Sequence, residues 1–310
     1  MKKYLSTLIA IAISSLLLAQ NNPYFGFDVP TNAEVFAPSI ISADSYERDM
    51  AISPDGTEIF YSIVESRESA KIVTVKQIDG VWQPAELASF SGTSFNIEPA
   101  FNYEGDKLFF ASNRREDGAG TKDFDIWYVE KQADGLWSDP INVGDPINTD
   151  KNEFYPSLAK DGSLYYTANY TNGRGGEDIW YSDFENGVYN ARKIVPAINS
   201  QQDEYNAFID PDEQFIIFGS FGRDDDAGRG DLYIGRKDVD GNWQAAENMT
   251  ELNSAQLDYS PYVSGDGKTL FFTSERAVET KIEADPFNIN ESLKALLSPQ
   301  SGNIYWVKFL

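Results

Sequence analysis

Residues 102–112 read NYEGDKLFFAS, an acidic turn that leads into an apolar and aromatic run. The same arrangement occurs four more times, as SPDGTEIFYS (53–62), KDGSLYYTA (160–168), DPDEQFIIFGS (210–220) and GDGKTLFFTS (265–274). The acidic turn residues follow one another at intervals of 49 to 57 residues and are Asp55, Glu104, Asp161, Asp212 and Asp266. Self-similarity with a period in this range indicates a repeat architecture.

Each repeat carries further β signals. A third apolar run follows a charged or glycine-rich loop, as in DIWYV (125–129), DIWYS (178–182), DLYIG (231–235) and NIYWV (303–307). Asp-Gly or Asn-Gly then precedes an aromatic residue at Trp82, Trp137, Tyr189 and Trp243. These dipeptides are strong hairpin signals because their turns require positive φ. With the short strand before each acidic turn, every repeat has four antiparallel strands, so we predict an all-β fold, a single five-bladed β-propeller.

The two ends of the chain indicate how the ring closes. The fifth repeat stops after its third strand, at Leu310. Residues 35–40 (VFAPSI) are similar to residues 81–86 (VWQPAE), so we align Val35 with Val81 and Phe36 with Trp82. We therefore expect the N-terminal strand to complete the last blade, which removes the free sheet edges at which other chains can pair. The predicted divisions are a signal peptide (1–19), an N-terminal extension (20–33) and the propeller (34–310), with blades at 46–90, 96–145, 153–198, 204–252 and 258–310 plus strand 34–42.

The charge and the missing residue types exclude several functions. The chain has 25 Lys+Arg against 49 Asp+Glu, a formal net charge of −24, and neither His nor Cys. A Ser-His-Asp triad, a thiolate nucleophile, a disulfide and the common zinc sites are thereby excluded. We expect no cofactor and no metal. The acidic balance also disfavours nucleic acid and anionic membrane surfaces as partners.

Residues 1–19 have the features of a secretory signal peptide. Lys2 and Lys3 precede an apolar run from Leu5 to Leu18, and Ala19 offers a small residue for cleavage. The run is too short for a stable spanning helix. We expect an exported monomer with no membrane insertion after cleavage, in the periplasm or associated with the outer membrane, with secretion as an alternative.

The repeats resemble those of the TolB-type, WD40-like (PD40) propeller family, whose unit reads roughly E-x-x-P-x-φ-S-x-D-G. RDMAISPDG (48–56) and DYSP (258–261) carry this pattern. A more closely similar subset, found in Bacteroidetes cell-envelope proteins, adds an Asn-Ser/Thr element before each inner strand, here at 148–149, 199–200 and 253–254. In that subset an OmpA-like peptidoglycan-binding domain often follows, and we expect none in this chain. The resemblance implies the propeller fold, a cell-envelope setting, and a loop arginine paired with the Asp that opens each third strand.

The binding candidates lie at the start of the inner strands. They are Glu47, Asp49, Glu98, Glu153, Glu204 and Asp258. Because inner strands line the channel of a propeller, these carboxylates could form a ring that attracts cationic partners. The alternative, which we favour, is that each carboxylate accepts backbone N–H bonds, since an acidic residue recurs at the first of these positions in four of the five blades.

The other recurring residues are interpreted as structural. They are Asp55, Asp161 and Asp266 in the turns, Asp125, Asp178 and Asp231 before the third strands, and Trp82, Trp137 and Trp243 near the outer strands. We expect the tryptophans, with Phe36 in register, to cover the seams between sheets, whereas exposed tryptophans would indicate sugar binding. The acidic run 224–226 lacks the alternating spacing of a calcium loop and is interpreted as a solvated hairpin tip.

The fifth blade breaks the repeat. The loop between its second and third strands spans residues 275–302 and contains a short helical pattern, ESLKALL (291–297). Long irregular loops in compact domains are commonly functional. We expect residues 277–301 to contribute to a partner surface, the alternative being a loop without such a role.

These observations favour a non-enzymatic, exported scaffold that binds an unidentified envelope protein or glycan. Two alternatives stay open. One is a lectin-like carbohydrate-binding module. The other is a glycoside hydrolase that uses Glu98 and Asp49, because such enzymes need two carboxylates in different roles.

Overall fold

The computed structural model describes residues 24–38, 40–42, 45–117, 120–195, 197–277 and 302–309. The regular elements in these ranges are 23 β-strands, which form five antiparallel sheets and a separate two-stranded hairpin. No helix among the described residues is long and apolar enough to cross a bilayer. The all-β, five-bladed propeller predicted from the repeats is confirmed.

Each blade places four strands in the same order from the axis outward. The inner strands are β2 (Tyr46–Ile52), β7 (Asn96–Phe101), β11 (Glu153–Leu158), β17 (Asp203–Ile209) and β21 (Asp258–Val263). The second strands are β3 (Glu58–Ser66), β8 (Lys107–Arg114), β12 (Leu164–Ala168), β18 (Phe215–Phe221) and β22 (Thr269–Ser274). The third strands are β4 (Ser69–Ile78), β9 (Thr121–Glu130), β13 (Asp178–Ser182), β19 (Asp231–Arg236) and β23 (Asn303–Lys308). The outer strands have two residues each: β6 (Glu86–Leu87), β10 (Ile141–Asn142), β16 (Lys193–Ile194), β20 (Glu247–Asn248) and, in the fifth blade, β1 (Glu34–Val35). The remaining short strands, β5 (Val81–Trp82), β14 (Phe184–Glu185) and β15 (Val188–Tyr189), form hairpin tips.

The sheets close into a ring. Each inner strand contacts the inner strands of both neighbouring blades, including β2 of the first blade against β21 of the fifth. The N-terminal strand β1 pairs antiparallel with β23, with Glu34 opposite Trp306 and Val35 opposite Tyr305. The predicted closure of the last blade by the N-terminal strand is therefore confirmed, and it covers the outer edge of β23.

The register proposed for that strand is wrong. Val35 pairs with the third strand as Leu87 does in the first blade, so its equivalent is Leu87 and not Val81. Likewise, Phe36 N–H donates to the carbonyl of Ile304 at 2.8 Å, as Ala88 N–H does to Ile72 at 3.0 Å. The reason is that β4 is long enough to pair twice: its end folds back onto Val81–Trp82, and its middle pairs with β6. Phe36 is thus not in register with the tryptophans.

The apolar core lies in the seams between blades. Six clusters of buried side chains each combine residues from two neighbouring blades; for example, Phe60 and Ile72 of the first blade pack with Leu108 and Phe110 of the second. Full burial of such a side chain contributes about 1.5–3 kcal/mol relative to exposure. The half-buried Trp82, Trp137, Tyr189 and Trp243 each pack against a different one of these clusters. The hairpin aromatics therefore lie at seams.

Candidate functional site

A β-bulge interrupts every inner strand at the same position. The residues at these bulges have φ between 50° and 63° and are Asp49, Glu98, Tyr155, Asn206 and Ser260. A bulge redirects a side chain that would otherwise follow the alternation of the strand. We call these five residues the axial ring.

Hydrogen bonds between blades that are not neighbours place the axial ring at the centre of the propeller. Asn206 Nδ2 of the fourth blade donates to Glu98 Oε1 of the second at 3.0 Å. Tyr155 of the third blade donates its hydroxyl to the Pro261 carbonyl of the fifth at 2.8 Å. Such bonds can form only where the blades converge, so these side chains fill the axis.

Arg48 joins the two carboxylates of the axial ring. Its Nε lies 2.7 Å from Asp49 Oδ2 and its Nη2 lies 2.9 Å from Glu98 Oε1. Its guanidinium also lies over the ring of Tyr259, 4.9 Å from the centroid. Asp49 additionally accepts the Ser260 hydroxyl at 2.6 Å. Although burial opposes its charge, the carboxylates and Tyr259 raise the pKa of Arg48 well above its usual value.

The backbone of the bulges is bonded to hydroxyl groups of the preceding blade. Thr273 accepts the N–H of Asp49, Ser62 accepts that of Glu98 and Thr167 accepts that of Asn206. The second blade has Ala111 where its neighbours have these hydroxyls. There, the N–H of Tyr155 donates to Glu98 Oε2 at 2.7 Å instead. Glu98 thus substitutes for a missing hydroxyl as well as binding Arg48.

A pocket of about 660 Å³ opens above the axial ring. Its floor includes the buried Glu98, Asn206 and Thr167 together with Arg48. Its rim includes the exposed Arg67, Glu68 and Thr121, which belong to the end of the blades where the second strand connects to the third. We call this end the loop face, and the opposite end, with the acidic turns, the turn face. The lining comes from the first four blades.

One wall of the pocket is aromatic. Phe95, Phe124 and Phe154 are half-buried and lie in contact, with ring centroids 5.4 Å apart for Phe95 and Phe124 and 4.9 Å apart for Phe124 and Phe154. Tyr205 and Glu177 line the pocket as well. The pocket therefore combines apolar faces with carboxylates.

Burial raises the pKa of two carboxyl groups that line the pocket, those of Glu98 and Glu177. Desolvation raises the pKa of Glu98 to about 7, against the opposing effect of Arg48, and the charge of Asp49 adds to the increase. Desolvation and the nearby Asp203 raise the pKa of Glu177. Each carboxyl group is therefore easier to protonate than an exposed one, and a cation beside it would stabilise its charged form.

The other predicted binding residues lie at the opening of the inner strands and are tied into the blades. We call Glu47, Asn96, Glu153, Glu204 and Asp258 the strand-opening ring; each is at most 1% exposed, and none lines the pocket. Glu153 and Glu204 accept hydroxyls from the residues four positions earlier at 2.7 and 2.6 Å, and Asp258 accepts the N–H of Ser254 at 2.6 Å. Burial raises the pKa of Glu153 to about 7. The strand-opening carboxylates therefore hold the preceding loop.

The arginine pairing implied by the resemblance is not the one that Arg223 and Arg276 form. Arg223 Nη2 binds Glu204 Oε1 at 2.7 Å and Arg276 Nη2 binds Asp258 Oδ1 at 2.6 Å, so these loop arginines reach the strand-opening ring. The aspartates before the third strands have other donors: Asp125 accepts Lys122 and Asn142, Asp178 accepts the N–H of Arg174, and Asp231 accepts the N–H of Ala227. The aspartates therefore accept bonds from their own loops and, for Asp125 and Asp231, from the outer strand, whereas Arg223 and Arg276 reach the inner strand.

The remaining predicted residues lie in turns or beyond the described ranges. Asp55, Asp161 and Asp266 each accept the N–H of the residue two positions later in their turns. In the run 224–226, Asp225 Oδ1 and Asp226 Oδ1 both lie 2.7 Å from the Tyr233 hydroxyl, which has one proton to donate. The predicted signal peptide, residues 1–19, and nearly all of the 277–301 loop lie outside the described residues.

Comparison with known proteins supports the fold. No protein-family model matches the chain, and no curated protein matches it significantly. TolB from Acinetobacter baumannii is similar in structure, with a TM-score of 0.50 and 16% identity over 76% of this chain and 53% of that one. The chain thus spans about half the length of that TolB. The chain has a TolB-like β-propeller fold.

Two further solved structures are similar to a lesser degree. The putative TolB from Agrobacterium tumefaciens has a TM-score of 0.49 and 18% identity over 76% of this chain and 72% of that one. The protein described as Bacteroides ovatus xyloglucan PUL GH43B has a TM-score of 0.46 and 14% identity over 78% of this chain and 50% of that one.

Proposed function

We propose that the mature chain is an exported, non-enzymatic propeller of the periplasm or cell envelope that binds a partner through the axial pocket. The observation that carries the proposal is the pocket itself, about 660 Å³ in volume, with a hydrogen-bonded floor and an open loop face. Binding sites are typically concave, largely apolar and equipped with a few positioned polar groups. The N-terminal sequence of residues 1–19 supports export.

The arrangement of Glu98 and Asp49 favours binding over glycoside hydrolysis. A glycosidase places two carboxyl groups on either side of the scissile bond. Here Arg48 bridges the two groups, and Asp49 is 1% exposed and absent from the pocket lining. Glu98, with its raised pKa, lacks a second carboxylate of this pair that could reach a substrate. Activity on a glycan panel that disappears in Glu98→Gln would contradict this conclusion.

The tryptophans do not favour a lectin-like site. Trp82 contacts Phe25, with centroids 4.6 Å apart, and Trp137 contacts Phe60 at 6.0 Å. Trp243 packs against the cluster shared by the third and fourth blades. The tryptophan rings pack into the seams between blades. The aromatic side chains that line the pocket are those of phenylalanine and tyrosine.

A pull-down with matched surface substitutions tests the proposal. Thr121 and Lys160 are both exposed, Thr121 on the pocket rim and Lys160 in a turn on the opposite face. Tagged protein comprising residues 20–310 is incubated with envelope extract as wild type, Thr121→Trp and Lys160→Trp. We expect the Thr121→Trp protein to lose partners that the Lys160→Trp protein keeps. Recovery of the same partners by both variants would contradict the proposal.

The long loop of the fifth blade is a second proposed element of the partner surface. Its ends, at Ser274 and Asn303, lie on the loop face together with the pocket rim. A chain in which residues 277–301 are shortened should retain the propeller, because those residues connect two strands that are already paired. We expect it to recover fewer partners than wild type, and an unchanged set would exclude the loop.

A further inference from the structure

We propose that the axial pocket accepts a basic side chain, lysine or arginine, from a partner polypeptide. This inference rests on the proposed function, because it names the chemistry of a ligand for the same pocket. Three properties of the pocket carry it: the aromatic wall, the carboxylates beside that wall, and the balance of charge at its floor and rim.

The aromatic wall offers faces to a cation. Phe124 lies between Phe95 and Phe154, and all three side chains are half-buried and line the pocket. A lysine or arginine head group over such faces gains cation–π energy, and its methylene stem gains apolar contact. Among the described residues, no Lys or Arg lies over these three rings.

Glu177 supplies the counter-charge. It lines the pocket, and its backbone N–H donates to Asp203 Oδ1 at 3.1 Å. Burial and, after it, the charge of Glu177 raise the pKa of the neighbouring Tyr205. No Lys or Arg in the described ranges forms an ion pair with Glu177 or Asp203. Two carboxylates therefore lie close together in a partly desolvated place, where an added cation would relieve their repulsion.

The charge balance of the pocket is negative. At the rim, Arg67 and Glu68 offset each other. On the floor, Arg48 is bonded to Glu98, which lines the pocket, and to Asp49, which does not, so it offsets Glu98 and is not available to bind an anion. With Glu177 added, the pocket attracts a cation and disfavours a carboxylate or phosphate ligand.

The interaction that we propose for the pocket, a cation held by a carboxylate and an aromatic ring, already occurs within the chain. Arg223 binds Glu204 while its guanidinium lies over Phe218 and Tyr233, 5.3 and 4.6 Å from the centroids. Arg276 binds Asp258 and lies over Tyr305 in the same way. A carboxylate beside an aromatic face is thus used repeatedly in this fold to hold a guanidinium. The pocket offers the same pair of groups to a cation from outside.

The shape of the pocket favours a side chain that is carried on a peptide. The buried floor requires a long stem, and the volume of about 660 Å³ leaves room for backbone on both sides of the side chain. Asn113 and Thr121 near the rim offer polar groups to that backbone. A free amine would satisfy the carboxylate but would leave those polar groups without a peptide partner.

Calorimetric titration with defined peptides tests the inference. The probes are acetyl-Gly-Lys-Gly-amide, the same peptide acetylated at Nζ, and cadaverine, each titrated into wild type, Glu177→Gln and Glu247→Gln. Glu247 lies on outer strand β20 with its side chain 80% exposed, so its substitution removes the same charge far from the pocket. A cooperative thermal unfolding transition in each of the three proteins shows that each is folded.

We expect the lysine peptide to bind wild type, and acetylation to weaken it about tenfold or more, since the acetylated side chain has no charge. Glu177→Gln should weaken the lysine peptide about tenfold, while Glu247→Gln should change its affinity by less than about twofold. Phe124→Leu should weaken it about threefold to tenfold through loss of the cation–π contact.

Three results would overturn the inference: equal binding of the acetylated peptide, an equal effect of the two glutamate substitutions, or no binding of the lysine peptide. Cadaverine binding as tightly as the peptide would overturn the assignment to a polypeptide. The proposed function fails separately. If Thr121→Trp abolishes partner capture but no basic peptide binds, the pocket remains the binding site and only the ligand chemistry is wrong.

Discussion

The strand-opening ring and the axial ring lie two residues apart on the same five strands, yet they differ in chemistry and in partners. Four of the five strand-opening residues are acidic, and the carboxylates of Glu153 and Glu204 accept hydrogen bonds from the loop just before them. The axial residues are five side chains of four chemical kinds, bonded across the centre to other blades. The strand-opening residues, which recur from blade to blade, thus have a structural role, whereas the axial residues, which vary, include the two that line the pocket, Glu98 and Asn206.

The largest expected difference between the rings comes from their arginines. Arg48→Met leaves Asp49 and Glu98 buried together without their shared cation, which should cost about 3–5 kcal/mol of unfolding free energy. Arg223→Met should cost about 1–2 kcal/mol, because Glu204 keeps donors from Ser200 and Ser220. Urea denaturation of both variants measures the difference, and equal losses would refute the distinction.

The two rings should respond to pH alike in stability, and a smaller difference between them is expected in the pH dependence of binding. The pKa of Glu98 and that of Glu153 are both raised to about 7, so the folded state favours the protonated form. The resulting stabilisation is present below the ordinary pKa near 4.5 and is lost as the pH rises through 7. Replacing either residue by Gln should therefore raise stability relative to wild type between pH 5 and 8, by on the order of 2 kcal/mol.

Only one of these two residues lines the pocket. Partner binding should therefore lose a pH-dependent step near neutrality in Glu98→Gln and keep it in Glu153→Gln. Thermal unfolding at pH 5 and 8 measures the stability effect, and titration of the captured partner over the same range measures the binding effect. Loss of the binding step in both variants would mean that the rings are not functionally distinct.

The smallest effect is expected for the hydroxyls that support each ring. Thr167→Val removes the acceptor of the buried Asn206 N–H and should cost about 1–2 kcal/mol. Thr149→Val should cost less than about 1 kcal/mol, because Glu153 keeps the Tyr170 hydroxyl. Urea denaturation measures both variants, and we expect the lower midpoint for Thr167→Val. A lower midpoint for Thr149→Val would contradict the account.

The fold could be predicted well from the sequence because short local motifs specify each repeat. Acidic turns such as that of Asp55 and Asp-Gly hairpins such as 134–135 specify their turns within a few residues. The alignment of Val35 failed because a two-residue strand carries too little pattern to set its register. Pairing with Tyr305 decided that register, and this partner is 270 residues away.

The site was predicted less well. Glu98 and Asp49 were identified as inner-strand carboxylates, but nothing in these residue types signals the positive φ that turns them to the axis. Arg48 was missed, although a signal was present: its equivalents in the other blades are Ile97, Phe154, Tyr205 and Tyr259, so it is the one charged residue at that position. The pocket depends on contacts between distant blades, which no local pattern encodes.

Photo-crosslinking tests most directly the central claim that the axial pocket is the binding site. A photoreactive amino acid is placed at Thr121 on the pocket rim or at Lys160 on the turn face, both of which are exposed. Each protein is irradiated in envelope extract. The account predicts adducts from position 121 that are absent from position 160. Adducts from position 160 alone, or the same adducts from both positions, would contradict it.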